Sequence, residues 1–369
     1  MFICLKDWLA WTSLIALNYI VFYFYFYFYL FLFYLFLFLF LFIFILFLFF
    51  YLFILANYFK DFPKKLKILS LDNLRHLKVV DLRVALKDLS LETLSLSGCS
   101  QIDNEVIEIL PVTLTSLNLS NTNIEDSCSS YLSTNIVSLN VSNCLKLTEK
   151  FISGLKEIST KQLDNKKKHF LTSLNISGLS KLTPNSFLNF PFTLKELQFD
   201  NNNIMEDKFI EKMDYMISLE SFSLGNNSKL SDFSLDKKFP TLLHLNLESC
   251  LRLSNDTLQC LPASLTSLNL SGNLKVTDSV VSSFSKNLTR LSYLNLSYCS
   301  GLTDSFVPSL PPSIISLDVS HCPKFVVNND FFVKILPPNL LYFGCKPNKI
   351  DSLFLKKFSI NKNRSIIFI

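Results

Sequence analysis

The sequence places a histidine beside a cysteine at His321 and Cys322, the residue types of a thiol nucleophile and its general base. Such a pair works only when the two side chains meet and a third group orients the base, and no third residue is visibly placed to do so. The other histidines are His76, His169 and His244, and the seven glycines show no phosphate-binding spacing. The sequence therefore does not predict an enzyme.

The nine cysteines have no metal-binding spacing, because no two of them form a C-x-x-C pair. We predict neither a metal site nor a disulfide framework, and we expect no cofactor. Five cysteines share one place in a recurring phrase, and these are Cys99, Cys144, Cys250, Cys299 and Cys322. We therefore expect a structural role for these thiols and a reducing, intracellular compartment.

The recurring phrase is nine residues long, and "LSYLNLSYC" from Leu291 is one copy. Apolar residues stand at its first, fourth and sixth positions, and the last two have the period of a strand with one buried face. At the ninth position the chain turns inward, so the side chain there should satisfy buried backbone groups that lack a sheet partner. Eleven copies begin at Leu91, Leu114, Ile136, Leu171, Leu194, Leu219, Leu242, Leu265, Leu291, Ile314 and Leu340, and a weaker copy begins at Leu66.

The copies recur every 22 to 26 residues, except for one step of 35, and a period in this range indicates a solenoid. Thr-Asp pairs such as Thr303-Asp304 precede apolar stretches and indicate helix starts. Prolines such as Pro311 stand three residues before the next copy and prevent the helix from continuing. Each repeat is thus predicted to contain a strand, a turn, a short helix and a proline corner.

Two motifs carry a resemblance to a known family. The runs C-x-x-L-T-D/E (Cys144–Glu149 and Cys299–Asp304) and LxxLxLSxC resemble the cysteine-containing leucine-rich repeats of F-box substrate receptors and antagonist-of-mitotic-exit-network proteins. The proline-led "LPASLTSLNLSGN" from Leu261 also resembles FNIP-type repeats. The resemblance spans about residues 66 to 348 and implies an α/β leucine-rich-repeat solenoid, a horseshoe of about 11–12 repeats.

The same resemblance implies a role in protein degradation. Members of this family typically bind protein substrates for ubiquitin ligases, and many carry an F-box that docks a Skp-type adaptor. The only room for an F-box here is between Lys60 and Ser90, a stretch that is itself readable as a repeat.

Residues 19–56 are drawn only from Phe, Leu, Tyr, Ile and Val with a final Ala, and no charge occurs between Asp7 and Lys60. One interpretation is a transmembrane anchor, because a helix of this length exceeds the roughly 30 Å of a bilayer core and the lysines after it favour a cytoplasmic repeat domain. The other is a gene-model artefact, a T-rich tract read in frame. We divide the chain into an apolar low-complexity segment (1–60), the repeats (61–348) and a C-terminal cap or tail (349–369).

The net charge of +5 belongs to residues 60–369, because residues 1–59 contribute only Lys6 and Asp7. One concentrated basic element is 161–170, within the 35-residue step, and we expect it to leave the array as a solvated loop. Neither aromatic interleaving nor a groove-reading motif accompanies its lysines, so nucleic-acid binding is not predicted.

The strand face that looks into the horseshoe is the expected binding surface of such an array. Its fifth-position column is mostly uncharged and polar, whereas the C-terminal copies add tyrosines and charged residues, the types that anchor protein interfaces. The candidate partner-binding residues are His244, Glu248, Tyr293, Tyr298, Asp318, His321 and Tyr342. The competing interpretation is that these side chains only cover a solvated concave face.

We therefore predict a non-enzymatic protein–protein interaction scaffold that binds a protein partner on its concave face. The resemblance implies a more specific role for this scaffold, as a substrate-binding subunit of an SCF-type ubiquitin ligase. The alternative is a membrane-anchored leucine-rich-repeat receptor or adhesion protein, which requires residues 19–56 to be an anchor. Paired cysteine caps, common on extracellular arrays, flank neither end of the array, which weighs against that alternative.

Overall fold

The computed structural model of the chain describes residues 62–164, 170–202, 204–233, 235, 238–327, 335–345, 349–350 and 367–368. All of these except Phe62 belong to one compact unit, Pro63–Ile369. The described strands are β1 (Ile68–Ser70), β2 (Thr93–Ser95), β3 (Ser116–Asn118), β4 (Ser138–Asn140), β5 (Ser173–Asn175), β6 (Glu196–Gln198), β7 (Ser221–Ser223), β8 (His244–Asn246), β9 (Ser267–Asn269), β10 (Tyr293–Asn295), β11 (Ser316–Asp318), β12 (Val326–Val327), β13 (Tyr342–Gly344), β14 (Lys349–Ile350) and β15 (Ile367–Phe368).

Thirteen of these strands form a single parallel sheet, in the order β1 to β11, then β13 and β15. The weaker copy from Leu66 supplies β1, which pairs with β2, so it is the first repeat of the array. Each phrase is aligned with the next, and Leu294 of β10 lies beside Leu317 of β11. This is an α/β leucine-rich-repeat solenoid, as predicted, and all twelve phrases contribute a strand to it.

The core consists of the apolar positions of the phrase. In the repeat from Leu291, the side chains of Leu291, Leu294 and Leu296 have no exposed surface, and the corresponding residues of the phrases from Leu91 to Leu340 are also buried. In the first repeat Leu69 is buried, whereas Leu66 and Leu71 are partly exposed. A single repeat has too few such side chains to bury an apolar face by itself, so each depends on its neighbours. Phenylalanines fill the wider space at mid-array, where Phe187 stacks on Phe209 with ring centroids 4.9 Å apart.

The ninth-position side chains form a buried ladder that satisfies backbone carbonyls. The Cys250 thiol donates to the carbonyl oxygen of Leu224 at 3.1 Å, and the Cys322 thiol donates to that of Leu296 at 3.2 Å. The Asn227 amide does the same with two bonds, to Phe199 and Leu224, both at 2.8 Å. The predicted role is confirmed at these positions, because each carbonyl belongs to the sixth-position residue that directly follows its strand.

Short helices return the chain to the next strand. The α-helices are α1 (Val79–Leu86), α2 (Glu149–Asp164), α3 (Asp207–Glu211), α4 (Asn255–Gln259) and α5 (Asp278–Asn287), and 3₁₀ segments span Asn104–Ile109, Asp126–Tyr131, Pro184–Leu188 and Asp304–Ser309. The Thr-Asp signals mark two of these starts, with Thr277 and Thr303 as N-caps. Asp278 also links repeats, because its carboxylate accepts hydrogen bonds from the backbone N–H and hydroxyl of Thr303.

The loop prediction for 161–170 is wrong in its first part, since Lys161–Asp164 are the last residues of α2. The physical reason is Gln162, whose buried amide donates to the carbonyl oxygens of Thr134 and Ile136 and accepts from the backbone N–H of Leu171. These bonds hold the extra helical turn against the array. Residues 165–169 lie outside the described part of the chain.

The apolar segment 19–56 also lies outside the described residues, so its interpretation as an anchor stays a prediction. Across the part of the chain that is described, the helices are too short or too polar to cross a bilayer.

Candidate functional site

The concave face of the sheet is formed by the third and fifth positions of each phrase, which flank the buried fourth. From β6 onward, the third positions form what we call the third-position row: Glu196, Ser221, His244, Ser267, Tyr293, Ser316 and Tyr342. Large and small side chains alternate along this row. Tyr293 and Tyr342 therefore share a row, as their spacing predicts, but Ser316 lies between them, as Ser267 lies between His244 and Tyr293.

An exposed apolar patch occupies the C-terminal end of this face. Tyr293 is 43% exposed and Tyr342 is 39% exposed, although the strands that carry them lie within the sheet. The second positions of the last two phrases add Ile315, 40% exposed, and Leu341, 48% exposed. Earlier second positions are mostly polar, with Glu92, Thr115 and Thr172 among them. The patch formed by Tyr293, Ile315, Leu341 and Tyr342 is called the tyrosine patch below.

The predicted pair Tyr298 and His321 is in direct contact at the end of β10 and β11. The rings stack with centroids 4.2 Å apart and planes 7° from parallel. Both residues are at the eighth position, where the chain takes a left-handed conformation in repeat after repeat, with φ of 59° at Tyr298 and 58° at His321. Glycine or asparagine fills most other eighth positions because they tolerate this conformation, whereas a bulky ring is strained there.

The remaining predicted residues are polar, and some of them make hydrogen bonds within the repeat array. Asp318 accepts the backbone N–H of Ser320 at 2.8 Å, and asparagine plays this part in other repeats, as where Asn269 accepts from Ser271 at 3.0 Å. The fifth-position column is thus a set of strand caps as well as a surface. Glu248 accepts from the Asn269 amide at 3.2 Å, and the exposed His244 imidazole makes no hydrogen bond or ion pair among the described residues.

Electrostatics on the concave face centre on Asp200 and Glu248, which flank Gly225 in the seventh-position column. Burial raises the pKa of Asp200, and the Glu248 charge raises it further, while hydrogen bonds from Ser223 and the Gly225 N–H lower it. A side chain at Gly225 would meet both Asp200 and Asn246 at 3.2 Å. The two carboxylates therefore share a confined part of the face, where an added positive charge would be favourable.

The His321–Cys322 pair does not form a nucleophile and base. Cys322 is buried with its thiol on the Leu296 carbonyl, and burial raises its pKa to about 11. His321 is exposed on the opposite side and stacks on Tyr298. A thiol with this pKa stays protonated at neutral pH, so the geometry fits a structural cysteine.

Sequence reasoning missed Ile315, Leu341, Asp200 and Glu196 as residues of this face. The signal was available in the second, third and seventh columns of the aligned phrases. Reading every column for its change along the array would have found them, because Glu196 and Asp200 stand in columns where serine is the most frequent residue, and Ile315 and Leu341 are large apolar residues in a mostly polar column.

Two solved structures are similar to this chain. An internalin from Listeria monocytogenes matches with a TM-score of 0.52 and 17% identity, covering 82% of this chain and 86% of its own. TLR13 in its complex with ssRNA13 matches with a TM-score of 0.55 and 23% identity, covering 77% of this chain but only 43% of its own length. Identities this low show the fold alone, a leucine-rich-repeat solenoid. No family model and no curated protein sequence matches the chain.

Proposed function

We propose that the chain is a protein-binding scaffold whose partner contacts the concave face of β8 to β13. The observation that carries this proposal is the tyrosine patch, because four large apolar side chains are exposed together at one end of a sheet whose surface columns are otherwise mostly polar. Burial of such side chains by a partner is favourable, and tyrosines at the centre of an interface often contribute more than about 2 kcal/mol each.

The test is quantitative affinity purification of the tagged full chain from its own cells, comparing wild type with Tyr293→Ser/Tyr342→Ser. Serine already occupies the same row at Ser267 and Ser316, so these changes should preserve the fold. The matched control is Tyr131→Ser, which removes a tyrosine that is 56% exposed at the end of a 3₁₀ segment. Partners should be lost from the double variant alone. An unchanged partner set would overturn the proposal.

A finer form of this function is the substrate-binding subunit of an SCF-type ubiquitin ligase, which rests on the sequence resemblance. A Skp-type adaptor would have to bind a folded repeat, since β1 and α1 both lie within the stretch from Lys60 to Ser90. The surface open to it is the stripe Val80, Arg83 and Val84 of α1 with its C-cap Lys87, where the two valines are 70% and 50% exposed.

Recovery of a Skp-type adaptor and a cullin with the wild-type chain would support this form. Val80→Asp/Val84→Asp should then release the adaptor, whereas Tyr293→Ser/Tyr342→Ser should retain it. Absence of both ligase components from the wild-type purification would contradict the ligase role and leave the scaffold proposal untouched.

A second candidate is a membrane-anchored receptor or adhesion protein, and one observation favours the anchored form. Residues 63–90 contain seven Lys or Arg against three Asp, a net charge of +4, and all seven cations are exposed. Basic residues that follow an apolar segment are attracted to the anionic cytoplasmic leaflet. Peptides from 1–59 in the membrane fraction, resistant to alkaline carbonate extraction, would support an anchor, and a carbonate-soluble chain would contradict it.

A further inference from the structure

The concave face differs in charge from the repeat array as a whole. Residues 61–348 are neutral overall, with 28 Lys or Arg and 28 Asp or Glu, yet the third, fifth and seventh columns hold five carboxylates and a single cation, Lys346 at the seventh position of the last phrase. These carboxylates belong to Asp72, Glu196, Asp200, Glu248 and Asp318. The lysines at second positions are paired, Lys67 with Glu92 at 3.0 Å and Lys195 with Glu220 at 2.7 Å. The face is therefore acidic on a repeat array that is neutral overall, which favours a positively charged ligand.

The large side chains of the third-position row are regularly spaced. Its large side chains stand on every second strand, and neighbouring strands lie about 4.8 Å apart, so His244, Tyr293 and the next large side chain follow at roughly 9–10 Å. Each serine between them leaves a gap. A polyproline II chain rises about 3.1 Å per residue with three residues per turn, so every third side chain recurs on one face at roughly 9.3 Å. These two spacings match.

We infer that the concave face of β8 to β13 binds an extended, positively charged protein segment in polyproline II conformation, which crosses the strands with every third side chain in a serine gap. Apolar side chains of the segment contact Tyr293 and Tyr342 near Ser267 and Ser316. Its cationic side chains reach Glu248 and Asp318. The inference rests on the proposed function and defines the chemistry of the partner.

The tyrosines and carboxylates are arranged to act together in this mode. Aromatic-lined grooves are a recurring way to recognise polyproline II segments, because the preformed ligand loses little entropy. A lysine or arginine can also stack on an exposed tyrosine face. Asp200 lies next to this surface, and a cation placed between it and Glu248 would relieve the repulsion between the two carboxylates.

The probe is a set of fluorescent peptides of equal length, tested by anisotropy against the full chain. The three sequences are repeats of Leu-Pro-Lys, repeats of Leu-Pro-Glu, and the first composition shuffled so that leucine loses its three-residue period. We expect the Leu-Pro-Lys peptide to bind at least about tenfold more tightly than the Leu-Pro-Glu peptide, because the face would repel glutamate. The shuffled peptide should bind more weakly than the periodic one.

The charge variant is Glu248→Gln/Asp318→Asn, in which asparagine restores the strand cap of other repeats. It should remove most of the preference for lysine over glutamate. The matched control is Glu108→Gln/Glu157→Gln, which changes the net charge equally at exposed residues outside the concave columns. A control variant that loses the preference equally would show bulk electrostatics only and overturn the inference.

The remaining outcomes separate this inference from the proposed function. Equal binding of the lysine and glutamate peptides, or no binding of either, would overturn the inference. If Tyr293→Ser/Tyr342→Ser still releases the cellular partners in that case, the scaffold function stands with a partner of different chemistry. Equal binding of the shuffled peptide would overturn the three-residue register.

Discussion

Replacing Asn227 by alanine tests the ladder that holds the repeats together. This side chain has no exposed surface and makes three hydrogen bonds. Its amide donates to the carbonyls of Phe199 and Leu224, and its oxygen accepts the backbone N–H of Asn202 at 2.9 Å. Alanine leaves the Phe199 carbonyl oxygen and the Asn202 N–H without this partner, whereas the Leu224 carbonyl keeps the Cys250 thiol. At about 1 kcal/mol for each of the two groups, the loss of unfolding free energy should be about 2 kcal/mol.

Asn273 provides the matched comparison, because it is also an asparagine at the ninth position of its phrase, but fewer backbone groups depend on it alone. Its amide donates to the carbonyls of Leu247 and Leu270, but these also accept from other donors, including the Cys250 backbone N–H and the Cys299 thiol. Its side-chain oxygen is buried and has no hydrogen-bond partner within the described residues. Asn273→Ala should therefore cost about 1 kcal/mol.

The assay is urea unfolding of the full chain followed by circular dichroism, with m-values compared between variants because repeat arrays can depart from two-state behaviour. We expect Asn227→Ala to be the more destabilised by about 1 kcal/mol, which is the difference between the two sets of lost bonds. Asn227→Cys should fall between wild type and Asn227→Ala, because a thiol can donate one bond, as Cys250 does to Leu224. Equal losses for the two alanine variants would refute the reasoning.

Three further predictions follow from the ladder and the turns. Gly272→Ala should reduce stability by about 1–2 kcal/mol in the same urea assay, because φ is +74° and the new Cβ would approach Ser249 Oγ; an unchanged midpoint would contradict this. The pKa values of Cys250 and Cys322 are about 11 in the folded state against an ordinary 9.0, since burial disfavours the thiolate. The unfolded state loses these protons at a lower pH than the folded state does. The urea concentration at the unfolding midpoint should therefore fall as the pH is raised from 9 to 11, and a midpoint that stays constant would argue against buried thiols. Cys260 is exposed whereas the ladder thiols are buried, so Cys260→Ser should remove a fast phase from thiol labelling, and rapid labelling of the ladder would contradict the fold.

Much of the fold was predictable from the sequence because each repeat contains the same nine-residue pattern. The fourth and sixth positions have the period of a strand with one buried face, and most ninth positions carry a donor for the carbonyls just after the strand, with Leu179 an apolar exception. The extra turn of α2 was not predictable in this way. It depends on tertiary bonds of Gln162 to Thr134 and Ile136, which no local pattern encodes.

The candidate site was predictable only in part. Alignment of the phrases places Tyr298 beside His321, but the stacking and the strained backbone of both residues depend on how the eighth position turns. Ile315 and Leu341 escaped notice because second positions carry no fixed residue type. The acidity of the concave face was hidden within a net positive chain, since charge had to be counted by column.

The measurement that tests the central claim most directly is site-specific photo-crosslinking in the protein's own cells. A benzophenone amino acid is placed at Tyr293 in one sample and at Tyr131 in the other, and the products are identified by mass spectrometry. The account predicts that Tyr293 alone crosslinks to a protein, through a segment rich in lysine or arginine. Crosslinks from Tyr131 without any from Tyr293 would contradict it.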